Sequence, residues 1–265
     1  MEGLSSLGHH CSLLGMIGSD QRGEFYSQLL EQKSIESLLL KGTLPTAVAL
    51  SMVTPDGERT MRTFLGASGE LKEKDLHADM FKGAKLVHIE GYSLLNDELA
   101  QRAMFYAKQQ GALVSFDLAS FEIVSENKEL VNHLLSNYVD IVFGNEDEGC
   151  ELYQQQPDVA VRMLADRCEV AVISLGAKGS LICKDKKLIQ APAYRVEPVD
   201  TTGAGDLFAS GFLHGYLNGL SLELCAHFGA VLARAVVQVV GSVIPATFWG
   251  SLNTPFRSDV STVED

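Results

Sequence analysis

Between Val199 and Asp206 the chain reads Val-Asp-Thr-Thr-Gly-Ala-Gly-Asp, set between an extended stretch ending at Pro198 and an apolar helical pattern starting near Gly205. Small residues let a backbone turn tightly and come close to a ligand, and the first amides of a helix point outward without partners. The amides of Gly203, Ala204 and Gly205 are therefore a candidate anion hole. Asp206 falls in the first helical turn, where the dipole favours a carboxylate by about 0.3–1 kcal/mol and is expected to hold its pKa low. A carboxylate fixed beside an anion hole can take a proton from an attacking hydroxyl while N–H groups stabilise charge on the group in transit. That is the chemistry of phosphoryl transfer to an alcohol. Read alone, the pattern is also compatible with a helix-terminal charge and glycines that merely permit close packing.

A second cluster, Asn145-Glu146-Asp147-Glu148, follows an apolar run at its carboxyl end, where open α/β sheets place ligands. Asn145 and Glu148 are candidates to hold a hydrated Mg²⁺, which keeps most of its waters and needs few protein oxygens. Acids that simply complement a helix dipole would look the same. A third piece, Ser174-Leu175-Gly176-Ala177-Lys178-Gly179, also follows an apolar run and reads alone as a turn. Three ligand-friendly loops in the order NxxE, GxKG, GAGD are harder to attribute to packing.

Other phosphate and hydrolase motifs fail. A dinucleotide fingerprint needs a third small residue where Phe208 stands, which argues against an oxidoreductase; Gly18 to Gly23 is followed by Glu24 and Gly144 to Gly149 by Cys150, so neither is a P-loop. HExxH and GxSxG do not occur.

The elements that must position these residues follow from periodicity. Apolar runs at Lys85–Glu90, Ala112–Asp117, Asp140–Phe143 and Val170–Leu175 alternate with helical patterns at Asn96–Gln110 and Asn127–Asn137, which predicts βα units around a mostly parallel sheet. Cys11–Ile17 is expected to join that sheet, followed by a helix from about Ser19 to Gln32. Alternation over Ser34–Leu65, broken by the turn Thr54–Glu58, predicts a half-exposed hairpin, which reads either as a flap over the site or as a decorative hairpin with no lid role. Asp206–Leu217 and Leu222–Val240 are apolar nearly all round and predict buried helices; the tail from about Asn253 is polar and expected to fray.

Composition agrees. The 265 residues are 46% hydrophobic and 21% charged, an ordinary globular balance with room for a real core. The net charge of −13 argues against nucleic acid or anionic membranes as partners. The five cysteines form no CxxC pair, and the most apolar stretch, Ala226 to Val240, contains Arg234 and Gln238, too polar to span a bilayer. The expectation is a reduced cytoplasmic protein.

Together these residues resemble the PfkB, or ribokinase-type, family of carbohydrate and nucleoside kinases, over roughly Leu4 to Pro245. Asp200-Thr201-Thr202-Gly203-Ala204-Gly205-Asp206 matches the family's C-terminal signature, and Asn145-x-x-Glu148 its magnesium-and-phosphate motif. The resemblance implies a three-layer ribokinase-like α/β fold, with a kinase domain over 1–33 and 66–265 and a β-lid over 34–65. It implies ATP and Mg²⁺ as cofactors, with a monovalent cation as a further candidate, and a sugar or nucleoside as the acceptor of a phosphoryl group at a primary hydroxyl. Asp206 would be the catalytic base, and Gly203, Ala204 and Gly205 the anion hole. Asn145 and Glu148 would organise Mg²⁺, while Ser174, Gly176, Gly179, Thr201, Thr202 and the helix from Leu222 line the nucleotide site. Pro45-Thr46-Ala47 resembles the family's Pro-Thr-Gly segment in the lid, from which Arg59 or Arg62 would reach the γ-phosphate; a homodimer through the lid is a candidate. The run Thr54–Met61 looks closest to the adenosine-kinase-like branch.

One departure stands out. Gly3-Leu4-Ser5-Ser6-Leu7-Gly8 resembles the tail of the family's first helix, so the preceding strand with its substrate-binding aspartate and the Gly-Gly…Asn motif are missing from this sequence. Either the start lies upstream, or the chain is a shortened, catalytically impaired relic that still binds nucleotide.

Overall fold

The computed structural model describes residues 1–53 and 59–252. The expected turn at Thr54–Glu58, the Arg59 side chain and the tail from Asn253 lie outside the described residues. The chain opens with α1 (Glu2–Ser6), β1 (Cys11–Ile17), α2 (Gln21–Gln32), β2 (Ile35–Lys41), β3 (Val48–Val53) and β4 (Arg59–Phe64). It continues through β5 (Leu86–Glu90), α3 (Asp97–Gln109), β6 (Leu113–Asp117), α4 (Phe121–Glu126), α5 (Lys128–Asn137), β7 (Ile141–Asn145), α6 (Glu146–Tyr153) and α7 (Pro157–Ala165). Last come β8 (Val170–Ser174), β9 (Ser180–Lys184), β10 (Lys187–Ala191), α8 (Ala204–Leu217), α9 (Leu222–Val236) and α10 (Ala246–Leu252).

Six strands form the main sheet in the order β10-β9-β8-β7-β6-β5, with β5 to β8 parallel and β9 and β10 antiparallel at one edge. Alternate residues of a strand point to opposite faces, and the core divides accordingly. Val142, Ala171 and Ile173 pack with Met104, Val131, Leu134 and Leu164 of the helices on one face. Their neighbours Ile141, Phe143, Val170 and Val172 pack with Phe208, Phe212, Cys225 and Ala226 on the other. Strands covered on both faces need continuous apolar runs, which is why β7 and β8 read that way. The result is three layers of helix, sheet and helix.

α8 and α9 touch at backbone distance. A Cβ added at Gly211 would lie 2.4 Å from the Phe228 carbonyl oxygen, and one at Gly229 would lie 2.8 Å from that of Phe208. α9 ends at Val236, sooner than its apolar pattern suggested, because the Val237 carbonyl accepts from the Val199 amide at 2.7 Å instead of continuing the helix.

Two expectations are corrected. β1 does not join the main sheet: it pairs in parallel with β2, from Cys11↔Ile35 to Ile17↔Lys41, in a separate two-stranded sheet. The free-standing hairpin is therefore only β3 with β4, registered from Val48↔Phe64 to Val53↔Arg59, and Ile35–Lys41 is not part of it. The cause is the crossover through α2, which returns the chain parallel to β1 and gives β2 a partner that local alternation does not reveal.

The hairpin is tethered at its base. The Thr46 hydroxyl donates to Asp20 Oδ1 at 2.5 Å and accepts from the Gly18 amide at 3.0 Å, while the Thr46 amide donates to Asp20 Oδ2 at 3.1 Å. All five cysteines are unpaired. Among the described residues no helix is long and apolar enough to cross a membrane.

Candidate active site

Four parallel strands end side by side in polar residues: Glu90 on β5, Asp117 on β6, Asn145 on β7 and Ser174 on β8. Register aligns them, with Glu90 opposite Asp117 and Asn145 opposite Ser174. Across from these ends the first turn of α8 brings Gly205 and Asp206, and together they enclose a cavity of about 240 Å³ with Glu148, Tyr92 and Phe143 in its wall. A larger, open depression of about 390 Å³ lies at the amino ends of β7 and β8 around Lys108, Asp140 and Arg167, away from all of these groups.

The α8 terminus is built as its composition implies. Gly203 is the N-cap at φ +79°, and a Cβ there would lie 2.7 Å from that of Ser242, so both the turn and the close approach require glycine. The Ala204 amide donates to the Thr201 carbonyl at 3.2 Å, and the Leu207 amide donates to the Gly203 carbonyl at 2.9 Å. Of the three amides expected to form the anion hole, that of Ala204 is thereby engaged in closing the turn, which leaves those of Gly203 and Gly205. Asp200 anchors the approach: its Oδ1 accepts from the Thr202 amide at 2.9 Å and from the Thr202 hydroxyl, and its Oδ2 from the Gly241 amide at 2.9 Å.

The Asp206 carboxyl departs from expectation in sign. Loss of surrounding water, and next the negative charge of Glu90, raise its pKa above the ordinary aspartate value. Desolvation and a like charge outweigh the helix dipole here. A more basic carboxylate suits proton abstraction better.

Asn145 and Glu148 form a closed capping box. Asn145 Oδ1 accepts from the Glu148 amide at 2.9 Å, Glu148 Oε2 accepts from the Asn145 amide at 2.8 Å, and Asn145 Nδ2 donates to Glu148 Oε1 at 2.7 Å. Glu148 is 5% exposed, and burial raises its pKa. Asp117 is pushed up to about 7, chiefly by burial and then by Glu90. No group of three metal-ligating side chains converges among the described residues. The donor set instead suits a hydrated Mg²⁺, since oxygen acceptors line one wall and mutually repelling carboxylates are relieved by a cation.

Of the residues expected from sequence, Asn145, Glu148, Ser174, Gly205 and Asp206 meet at the cavity. Gly176 and Gly179 do not line it: they form the turn from β8 to β9, at φ +55° and +99°, closed by the Leu175 amide donating to the Gly179 carbonyl at 2.8 Å. Thr201, Thr202 and Gly203 lie in the loop that delivers α8 and Ala204 is the first residue of that helix; none of the four lines the cavity. Glu90, Asp117 and Tyr92 were missed. The rule that ligands bind at the carboxyl ends of strands, applied to Asn145, applies equally to the acidic last residues of β5 and β6.

The pfkB family of carbohydrate kinases matches residues 1–248. A nucleoside kinase of Methanothermobacter thermautotrophicus is 30% identical over 242 residues, covering 90% of this chain and 76% of that protein. The crystal structure of an adenosine kinase from Sinorhizobium meliloti superposes with a TM-score of 0.86 at 33% identity, over 95% of this chain and 79% of that one. A putative ribokinase II from E. coli, solved in complex with ATP and Mg²⁺, shares the fold with a TM-score of 0.83 at 20% identity, over 91% and 81% of the two chains. These matches lend no support to the relic reading.

Proposed function

The chain belongs to the pfkB family of carbohydrate kinases, and we propose that it transfers the terminal phosphoryl group of ATP to a primary hydroxyl of a sugar or nucleoside. The observation that carries this reading is the convergence on one cavity of Asp206, Gly205, Asn145, Glu148 and Ser174. Asp206 stands at the cavity wall and takes the proton of the attacking hydroxyl. The amides of Gly203 and Gly205 at the start of α8 stabilise the charge of the group in transit, so that transfer proceeds directly and in line. Asn145 and Glu148 are the residues that would hold a hydrated Mg²⁺, which supplies charge neutralisation for the phosphates. Ser174 offers a hydroxyl to the nucleotide, with Gly176, Gly179, Thr201 and Thr202 shaping the loops around it.

The segment 34–65 acts as the lid region in this reading. Leu50, Met52, Met61 and Phe64 on the hairpin are exposed, apolar surface available for closing over the acceptor or for pairing with a second copy. Arg62, also exposed, is the described candidate for reaching the γ-phosphate. Relatives named nucleoside kinase and adenosine kinase at 30% and 33% identity favour nucleosides as the first acceptors to try.

The deciding experiment incubates the protein with ATP and Mg²⁺ against a panel of nucleosides and sugars and reads products by ³¹P NMR. ADP and a phosphomonoester in equal amounts are expected. Nucleotide binding by calorimetry with no phosphomonoester from any acceptor would overturn the kinase assignment. Repeating the assay with K⁺ and without alkali cations tests monovalent activation.

A further inference from the structure

His88 is the one histidine on the strand that delivers Glu90 to the cavity, and its two ring nitrogens are both engaged. Nδ1 lies 2.8 Å from Ser115 Oγ, on the neighbouring strand at the register position opposite His88. Nε2 lies 3.4 Å from Glu90 Oε1, two residues further along the same face of β5. The Phe143 ring packs against the imidazole edge, with centroids 6.4 Å apart at 64°. Ser115 is fully buried, while 50% of the Glu90 side chain is exposed. The three groups thus run from a fixed interior hydroxyl to an open carboxylate in the wall that also holds Asp206.

We infer that His88 is a positioning residue for the proposed phosphoryl transfer: steered by Ser115, it holds the Glu90 carboxylate in one orientation in the wall it shares with Asp206, the group proposed to deprotonate the acceptor. A carboxylate accepts only, so Nε2 must carry the hydrogen that faces Glu90, and in the neutral imidazole Nδ1 then accepts from the Ser115 hydroxyl. Burial of Ser115 between strands makes the hydroxyl a rigid reference, and the ring transmits that reference to a side chain otherwise free to rotate. The same arrangement keeps Glu90 ionised, because the His88 hydrogen bond holds its carboxyl below the usual range. The charged groups facing Glu90 from other elements are Asp117 on β6, Glu148 on α6, Asp206 on α8 and the N-terminal ammonium. His88 is the side-chain donor among them that counters the acids.

This inference rests on the kinase reading, and the test separates the two. In steady-state assays His88→Ala is expected to raise KM for the acceptor about tenfold, the scale of losing a hydrogen bond to a charged group, with KM for ATP within about twofold. His88→Gln returns an amide donor and should recover most of that loss. An unchanged acceptor KM in a folded His88→Ala protein overturns the inference while leaving the kinase reading intact, whereas a wild type without transfer to any acceptor overturns the kinase reading. A second arm needs no turnover. In the free protein the ¹⁵N shifts of His88 should show a single tautomer with the hydrogen on Nε2, and Ser115→Ala should give a mixture. A mixed tautomer in the wild type, or no change in Ser115→Ala, overturns the steering role whatever the activity.

Discussion

Asn145 and Glu148 hold each other in both directions, each side chain accepting from the other's backbone amide at 2.9 and 2.8 Å. The pair is at once the start of α6 and part of the cavity wall, so each substitution should read on stability and on metal dependence together. Asn145→Ala should lower stability by about 0.5–2 kcal/mol in urea melts, the usual worth of a helix cap. Glu148→Gln keeps the shape but only one of the two carboxylate oxygens that accept from Asn145, so its melting should fall by a similar amount while the Mg²⁺ concentration for half-maximal activity rises. Equal Mg²⁺ dependence in wild type and Glu148→Gln would remove Glu148 from the metal site.

Asp206→Asn should lower kcat by about 10²–10⁴-fold, the typical contribution of a positioned general base, with an unchanged circular dichroism spectrum. Near-normal turnover would remove the base assignment.

The pH profile carries a sign. A base works only when ionised, and the pKa of Asp206 is raised by burial and by Glu90. The acid limb of kcat/KM should therefore lie above the value of an ordinary aspartate, and Glu90→Gln should move it to lower pH. A limb at the ordinary aspartate value in wild type would contradict the electrostatics.

Asp117 offers a stability test. Its carboxyl ionises near 3.8 when unfolded and at about 7 in the fold, so the folded state binds the proton more tightly. Such a group contributes its stability below the lower value and loses it as pH rises through the upper one. Asp117→Asn should leave melting nearly unchanged at pH 4 and become progressively more stable than wild type up to about pH 7. A pH-independent difference would contradict it.

Thr46→Val keeps the shape of the hairpin's anchor but strands the Gly18 amide, which now bonds the hydroxyl at 3.0 Å. The expected cost is about 1–3 kcal/mol in chemical denaturation. A neutral substitution would show that the anchor carries no weight.

Much of this architecture was legible because its signals are local. The strands β5 to β8 announce themselves as apolar runs, and Asp206 by the glycines that precede it. The pairing of β1 with β2 was not, since a parallel partner beyond a helix leaves no mark in either strand's own sequence. The pKa of Asp206 was misjudged for a related reason. The dipole of α8 can be read from Asp206's place in its helix, but the opposing charge of Glu90 arrives from another strand, far away in sequence. Glu90 and Asp117 were within reach, being acidic last residues of strands already delimited.

The backbone contact between α8 and α9 has one more consequence. With Gly211 seated against Phe228, and Gly229 against Phe208, neither helix can slide or roll without colliding with its neighbour's main chain. Asp206 is therefore mounted on an anvil: whatever approach brings a hydroxyl to it must be made by the other parts of the molecule, and a bulkier residue at either glycine would misplace the base without touching it.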